Sequence, residues 1–338
     1  MRLFPRPLAL VAVAAASALA LSACAGSGAS TSETSAASDT GVVSTMYGDV
    51  TVPAPSDDLK VVALGWSDAE MALALGVVPV AVYDWQGFGD ENKGVGPWAT
   101  DLFGDATPEI ISNSGDSINF EQIQALSPDL ILNTRAADDE KVFDRLSEIA
   151  PTVYAPTGTA AFATAWDVQL EQVGAALGKS GEATTLEDET KASIADAAAA
   201  NPEFAGLTTV AATKFGDAYG AYLAGDGRFD ILADLGFVQN PPVQDLEPAG
   251  FYANVSAEQV SAFDADVTVM LPIGFTAEEI LADPLLQTLS VVKDGRAIVL
   301  DPSDELTGAY SAASVLSIPV VLDQLVPQLA TAAAKVAK

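Results

Sequence analysis

The sequence predicts an α/β protein of two lobes, each built on a mainly parallel sheet, joined by one long rigid helix, with a ligand cleft between the lobes. Three observations point that way. From about Leu59 onward, short apolar β-branched runs alternate with helical patterns, as expected of sheets covered on both faces. Across 159–200 the alternation stops and two long stretches rich in Ala, Glu and Leu follow one another, after which it resumes. One unit also occurs twice: NFEQIQALSPDLIL, Asn119 to Leu132, returns as SAEQVSAFDADVTV, Ser256 to Val269. Aligning Asn119 with Ser256 also matches Glu121 with Glu258, Gln122 with Gln259, Ala125 with Ala262 and Asp129 with Asp266.

In chain order, residues 1–23 read as a signal peptide: Arg2 and Arg6 form a basic start, and Leu8 to Leu21 is an apolar run too short to span comfortably as a mature helix. Leu21-Ser22-Ala23-Cys24 resembles a bacterial lipobox, in which the cysteine is lipidated and becomes the mature N-terminus. Cys24 is the sole cysteine of the 338 residues, so it has no intramolecular disulfide partner. Residues 24–56 read as the lipidated terminus and a flexible tether, small and polar with little to bury.

The first lobe, 57–178, carries candidate strands at Val61–Leu64, Val77–Tyr83, Glu109–Ile111, Leu130–Asn133 and Thr152–Tyr154. Helical patterns cover Thr159–Gly178 and Gly181–Ala200. Gly178-Lys179-Ser180-Gly181 ends one and caps the next, and Asn201-Pro202 stops the second, giving a connecting helix over 179–201. The second lobe, 202–338, has strands at Leu207–Phe215, Ala221–Ala224, Val267–Leu271 and Ala297–Asp301. Its helices are placed around Phe229–Leu235, Ala257–Phe263 and Tyr310–Ala334.

The formal net charge is −31 and histidine is absent. That acidity excludes sequence-independent nucleic-acid binding, which needs clustered Lys and Arg. The missing histidine removes His-based triads and His-ligated zinc. The remaining oxygen ligands suit Ca, Mg or Mn, but no EF-hand-like spacing or tight carboxylate cluster is present, so no metal site is assigned. There is no nucleophile elbow and no ordinary base to activate a serine, which argues against a secreted hydrolase. An adhesive lipoprotein would explain the anchor and the acidity, but not the Trp and Arg residues at strand ends.

The repeated unit has a local explanation. Asn119 and Ser256 are good N-caps, with Gln122 and Gln259 three residues on, and Glu121 and Glu258 then sit in the first turn, where the helix dipole favours a carboxylate. The FEQI-ALSPDLIL and SAEQVSAFDADV pair, the opening VVALGWSDAEMALALGVVPVAV and the late VKDGRAIVLD also resemble the iron-siderophore and cobalamin branch of ABC-transporter substrate-binding proteins. The resemblance covers essentially all of the chain beyond the tether. It implies one surface glutamate per lobe, Glu121 and Glu258, docking onto arginine pockets of a two-subunit permease served by a cytoplasmic ATPase. It further implies a monomeric carrier, not an enzyme, anchored to the outer face of the cytoplasmic membrane by its lipid alone and holding no covalent cofactor.

Ligands of open α/β sheets sit beyond the carboxyl ends of the strands. Trp66 follows the first strand, Trp85 the second, and Trp98 lies in the loop KGVGPW; Trp166, inside a helical pattern, reads as core. Past the signal the arginines are Arg135, Arg145, Arg228 and Arg296. Arg145 belongs to a charged helix and Arg296 to a turn. Arg135 ends the strand run LILNTR, and Arg228 lies in AGDGRFD, similar to a glycine-rich G-x-G-x-R-F loop of the family. Both positions resemble ligand-binding arginines; a structural ion pair is the other reading. Tyr219, Tyr222, Tyr252 and Tyr310 can supply the second lobe's share. An Fe(III)-siderophore complex is the implied ligand. The strand end after VTVML reads Pro272-Ile273-Gly274 with no arginine, which favours a hydroxamate or mixed chelate over a highly charged catecholate. Cobalamin or haem on the same scaffold is the alternative.

Overall fold

The computed structural model describes residues 41–112 and 118–336; the signal peptide, Cys24 and the start of the tether lie outside the described residues. The stretch assigned to the tether already contains regular structure. Strands β1 (Val42–Thr45) and β2 (Gly48–Thr51) form an antiparallel hairpin. Alternation drives it: Val43 and Thr45 are buried while Val42 and Ser44 face out, and Tyr47 at the turn stacks on Phe143 and packs edge-on against Tyr154. The flexible reading of 24–56 is therefore corrected from Val42 onward, where the small polar run has ended and VVSTMYGDVT forms the hairpin.

The first lobe then runs β3 (Val61–Ala63), α1 (Asp68–Ala74), β4 (Ala81–Val82), α2 (Pro97–Thr100), β5 (Glu109–Ile110), α3 (Phe120–Leu126), β6 (Leu130–Asn133), α4 (Glu140–Ser147) and β7 (Thr152–Tyr154). Its sheet is all parallel in the order β5-β4-β3-β6-β7. The strand expected over Val77–Tyr83 shortens to two residues because Pro79 has no N–H to give the ladder. Helix α5 (Trp166–Ala176) starts seven residues later than expected, and α6 (Ser180–Ala200) is the connecting helix, about 31 Å long at 1.5 Å per residue. A Cβ on Gly174 would lie 2.6 Å from that of Ala183, so glycine is what lets α5 and α6 touch. Helix α6 packs on α5 of the first lobe and on elements of the second.

The second lobe holds β8 (Thr208–Phe215), β9 (Ala218–Tyr222), α7 (Gly227–Asp234), β10 (Val238–Gln239), α8 (Pro241–Gln244), β11 (Pro248–Ala249), β12 (Tyr252–Val255), β13 (Val267–Ile273), α9 (Ala277–Leu281), α10 (Ser290–Lys293), β14 (Ala297–Val299), α11 (Glu305–Ala312) and α12 (Ile318–Ala333). Its sheet is mixed, in the order β11-β12-β9-β8-β13-β14, with β10 also pairing β8. The strands β8, β13 and β14 are parallel, whereas β9, β11 and β12 are antiparallel additions. The helix expected over Tyr310–Ala334 breaks after Ala312, where Ala313 takes a left-handed φ of 44° and Pro319 blocks continuation.

The repeated unit does the same structural work in both lobes. In each, a short helical turn leads into the strand that pairs in parallel with the lobe's first strand, β6 on β3 and β13 on β8. The turn over Ala257–Phe263 is 3₁₀ rather than α. The matched acid then clamps the entry to that first strand: Asp129 Oδ2 accepts from the Lys60 N–H at 2.9 Å, and Asp266 Oδ2 from the Thr208 N–H at 2.8 Å. Asp266 also accepts from Thr208 Oγ1 at 2.9 Å. Asp266→Ala is expected to lower stability by about 1.5–3 kcal/mol, since bonds to a charged acceptor are lost. A urea midpoint equal to wild type would show that water replaces the clamp.

Candidate functional site

The carboxyl ends of β3, β4, β6 and β7 open onto a cavity of about 420 Å³ whose walls include Leu64, Trp66, Tyr83, Asn133, Arg135, Tyr154 and Phe162. Each strand delivers its last or next residue there, which is the expected place for a ligand in a parallel sheet. The Trp66 ring is the centre of an aromatic cluster: Trp85 stacks on it at 4.5 Å, Phe162 lies at 4.4 Å, and Phe251 of the second lobe meets it edge-on at 5.7 Å. The half-buried Trp66 and Trp85 thus stack together where the sequence placed them, after the first two strands.

Gly65 makes the approach possible. A Cβ there would fall 2.3 Å from Asp68 Oδ2 and 2.9 Å from the backbone nitrogen of Arg135. The buried Asp68 carboxylate accepts from the N–H groups of Gly65 and Thr134, from Thr134 Oγ1 and from Gln169 Nε2, tying β3, β6 and α5 together beneath the cavity. Burial pushes its carboxyl above the usual range despite those donors.

Arg135 is 2 % exposed and reaches in three directions. Its Nε donates to the Phe162 carbonyl at 3.2 Å, its Nη1 to the Ala312 carbonyl at 2.8 Å, and its Nη2 faces Asp226 Oδ2 at 3.6 Å without a hydrogen bond of its own. Burial pulls the guanidinium down to about 10, with Asp226 opposing, so it stays cationic at neutral pH. These bonds explain two departures from the expected elements. The chain over 159–165 leaves the helical path because Phe162, at φ 58°, offers its carbonyl to Arg135 and its N–H to Ala136. The break after Ala312 leaves that residue's carbonyl free to accept from both Arg135 and Ser67 Oγ.

Arg228 lies in the second lobe at the start of α7. Its Nε and Nη2 donate to the two oxygens of Asp226 at 2.7 and 2.6 Å, and its guanidinium lies 3.6 Å from the Tyr222 ring centre. Burial alone would lower its pKa; Asp226 outweighs that and holds it above the ordinary range. Arg135 and Arg228, from opposite lobes, therefore share one carboxylate: the buried ion pair that was the other reading of both is present, and of the two only Arg135 lines the cavity.

Other expected contacts lie elsewhere. The Trp98 indole N–H donates to Glu70 Oε2 at 2.8 Å and its ring packs edge-on against Phe88, away from the cavity. Tyr219 is buried with its hydroxyl on Asp283 at 2.7 Å, beside Lys214. Tyr310 is fully buried and donates to the Arg228 carbonyl at 2.6 Å. None of these three lines the strand-end cavity, and each has its polar atom committed to the protein. Tyr222 is buried under Arg228, and the half-buried Tyr252 packs on Phe251 and Phe215. Trp166 is core, as expected, at 4 % exposure.

Glu121 and Glu258 are both exposed in the first turn of their respective units, one per lobe. Asn119 caps α3 by accepting the Gln122 N–H, whereas the Gln122 amide donates to Glu109 and to the Ile110 carbonyl. In the second copy Ser256 donates from both its N–H and its hydroxyl to Gln259 Oε1.

Sequence reasoning missed Asp226, Phe162, Tyr154 and Phe251. Nothing local marks Asp226 beyond a good N-cap for α7, which it also is. A second hollow of about 470 Å³ lies between α5, α6 and α7, lined by Asp167, Lys191, Asp230 and Asp234. It meets no strand end, and Lys191 already bridges Asp167 and Glu187. Burial, with the charges of Asp226, Asp234 and Asp167 adding to it, pushes Asp230 up to about 7.

A family model described as periplasmic binding protein matches residues 61–303. YfiY of Bacillus subtilis (strain 168), described as a probable siderophore-binding lipoprotein, is 36 % identical over 104 residues, a match spanning 30 % of this chain and 29 % of that one. A periplasmic solute binding protein from Mycobacterium smegmatis superposes with a TM-score of 0.74 at 32 % identity, over 87 % of this chain and 99 % of that one. PiaA of Streptococcus pneumoniae TIGR4, solved in complex with ferrichrome, does so with a TM-score of 0.76 at 25 % identity, over 88 % and 99 %.

Proposed function

The chain belongs to the periplasmic binding protein family, and from that membership we propose that it captures a ferric siderophore outside the cell membrane and hands it to an ABC permease. The observation that carries this reading is the strand-end cavity lined by Trp66 and Arg135, with Trp85 stacked on Trp66 and the buried guanidinium 5.7 Å from the Trp66 ring centre. Ring faces suit the organic shell of a metal chelate, and one nearby cation suits its coordinating oxygens. A ferric hydroxamate or mixed siderophore fits this balance best, in keeping with the ferrichrome held by PiaA. In this reading Trp66, Trp85 and Arg135 contact the ligand, Cys24 carries a lipid, and the body acts as a monomer. Members of the family bind substrates for transport and do no chemistry on them.

Titrating the purified body with ferric hydroxamates, ferric catecholates, haem and cobalamin tests the reading, because Trp66 and Trp85 report occupancy by fluorescence. Quenching by a ferric siderophore is expected. An unchanged signal with siderophores, against quenching by haem or cobalamin, would replace the ligand class. Glu121 and Glu258 are proposed as the permease-docking pair. With Glu121→Ala and Glu258→Ala combined, ligand affinity is expected to persist within about twofold, as surface changes far from a site do, while uptake falls. Lost affinity with intact uptake would move the pair into the cleft.

A further inference from the structure

Both arginines that the sequence offers for ligand recognition converge on one carboxylate. Asp226 is fully buried, chelates Arg228 through two hydrogen bonds and faces Arg135 Nη2 at 3.6 Å. We propose that Asp226 sets the charge selectivity of the site: it is an internal counter-ion that leaves the two guanidiniums one net positive charge, so the cavity takes a neutral or near-neutral ferric chelate and rejects a multiply anionic one. This rests on reading the cavity as a ferric-siderophore site.

The geometry carries the argument. Arg228 cannot turn to a ligand without giving up both bonds to Asp226 and its seat on the Tyr222 ring. Arg135 lines the cavity, but two of its three nitrogens are committed to the carbonyls of Phe162 and Ala312. What remains, Nη2, is itself buried and faces Asp226 Oδ2, so Arg135 offers the cavity its charge and no spare donor. A trianionic chelate brought against this guanidinium has the Asp226 carboxylate 3.6 Å beyond Nη2, and like charges brought together in a dry interior are costly. Asp68, also buried on the Arg135 side and saturated with donors, adds acidity rather than cationic surplus.

The test compares wild type with Asp226→Asn, Arg228→Met and the double variant, each titrated by tryptophan fluorescence with ferrichrome and with a trianionic ferric tris-catecholate. The readout is the ratio of the two affinities, which a merely structural role of Asp226 would not move, since damage weakens both ligands together. Asparagine is chosen because it keeps the helix cap. Wild type is expected to favour ferrichrome by about tenfold or more. Asp226→Asn, with net charge raised by one, shifts the ratio toward the trianion by about tenfold. Arg228→Met, with net charge lowered by one, shifts it the other way and keeps the comparison alive should the asparagine variant not fold. The double variant restores the wild-type charge and the wild-type ratio. A ratio constant within about threefold across these charge states, with binding intact, overturns the assignment alone. Wild type binding neither chelate overturns the siderophore reading and this assignment with it.

Discussion

Replacing Asp226 by alanine is expected to cost about 3–5 kcal/mol of folding stability, the range for removing one member of a buried ion pair. The size follows from what is left behind. Arg228 would lose both of its charge-assisted bonds while remaining 4 % exposed, and Arg135 would lose its facing anion while remaining equally enclosed. Two cations would then repel each other across the meeting of the lobes. The same substitution removes the α7 cap, where Asp226 Oδ1 accepts the Arg228 N–H at 3.0 Å, a loss of about 1 kcal/mol by itself. Urea or thermal unfolding measures the sum. A loss below about 1 kcal/mol would mean that water reaches the arginines and that the buried triad is not as drawn.

Trp66→Ala is expected to weaken ferric-chelate binding by about ten- to a hundredfold, which corresponds to about 1.4–2.8 kcal/mol. The ring touches Trp85, Phe162 and Phe251, so its loss removes a wall of the cavity and loosens the aromatic residues that meet from both lobes. Stability falls as well, and the two effects separate in Trp66→Phe. Phenylalanine keeps a ring face in the stack, so it should recover most of the affinity. If Trp66→Ala binds as wild type does while remaining folded, the ligand lies elsewhere and the cavity reading fails.

What could be read from the sequence was what repeats or alternates locally. That β3 and β6 are strands of a parallel sheet covered on both faces is legible in their continuous apolar runs, and the matched unit around Glu121 and Glu258 is visible as text. Its acid, Asp129 or Asp266, drew attention by position, but the clamp onto Lys60 or Thr208 spans 69 and 58 residues and leaves no local trace. The same limit explains the misplaced elements. Residues 159–165 and 313–317 are as helix-compatible in composition as their neighbours, and what pulls them off the helix is Arg135, 27 residues from Phe162 and 177 from Ala312. Residue type points Trp98, Tyr219 and Tyr310 toward a ligand, yet pairing with Glu70, Asp283 and the Arg228 carbonyl sets their orientation. Arg135 and Arg228 stood out by scarcity in an acidic chain. Their common anion did not, since aspartate is the commonest sort of residue in such a sequence to overlook.

The bonds that run from Ser67, Gln86 and Arg135 to the carbonyls of Ala312 and Gly308, with Glu70 on Ser314, stitch the first lobe to the segment ahead of α12. Neither half can melt without stripping partners from the other, so heat should dissolve them in one cooperative step. The halves are coupled in this way without a disulfide crosslink between them, the chain having a single cysteine.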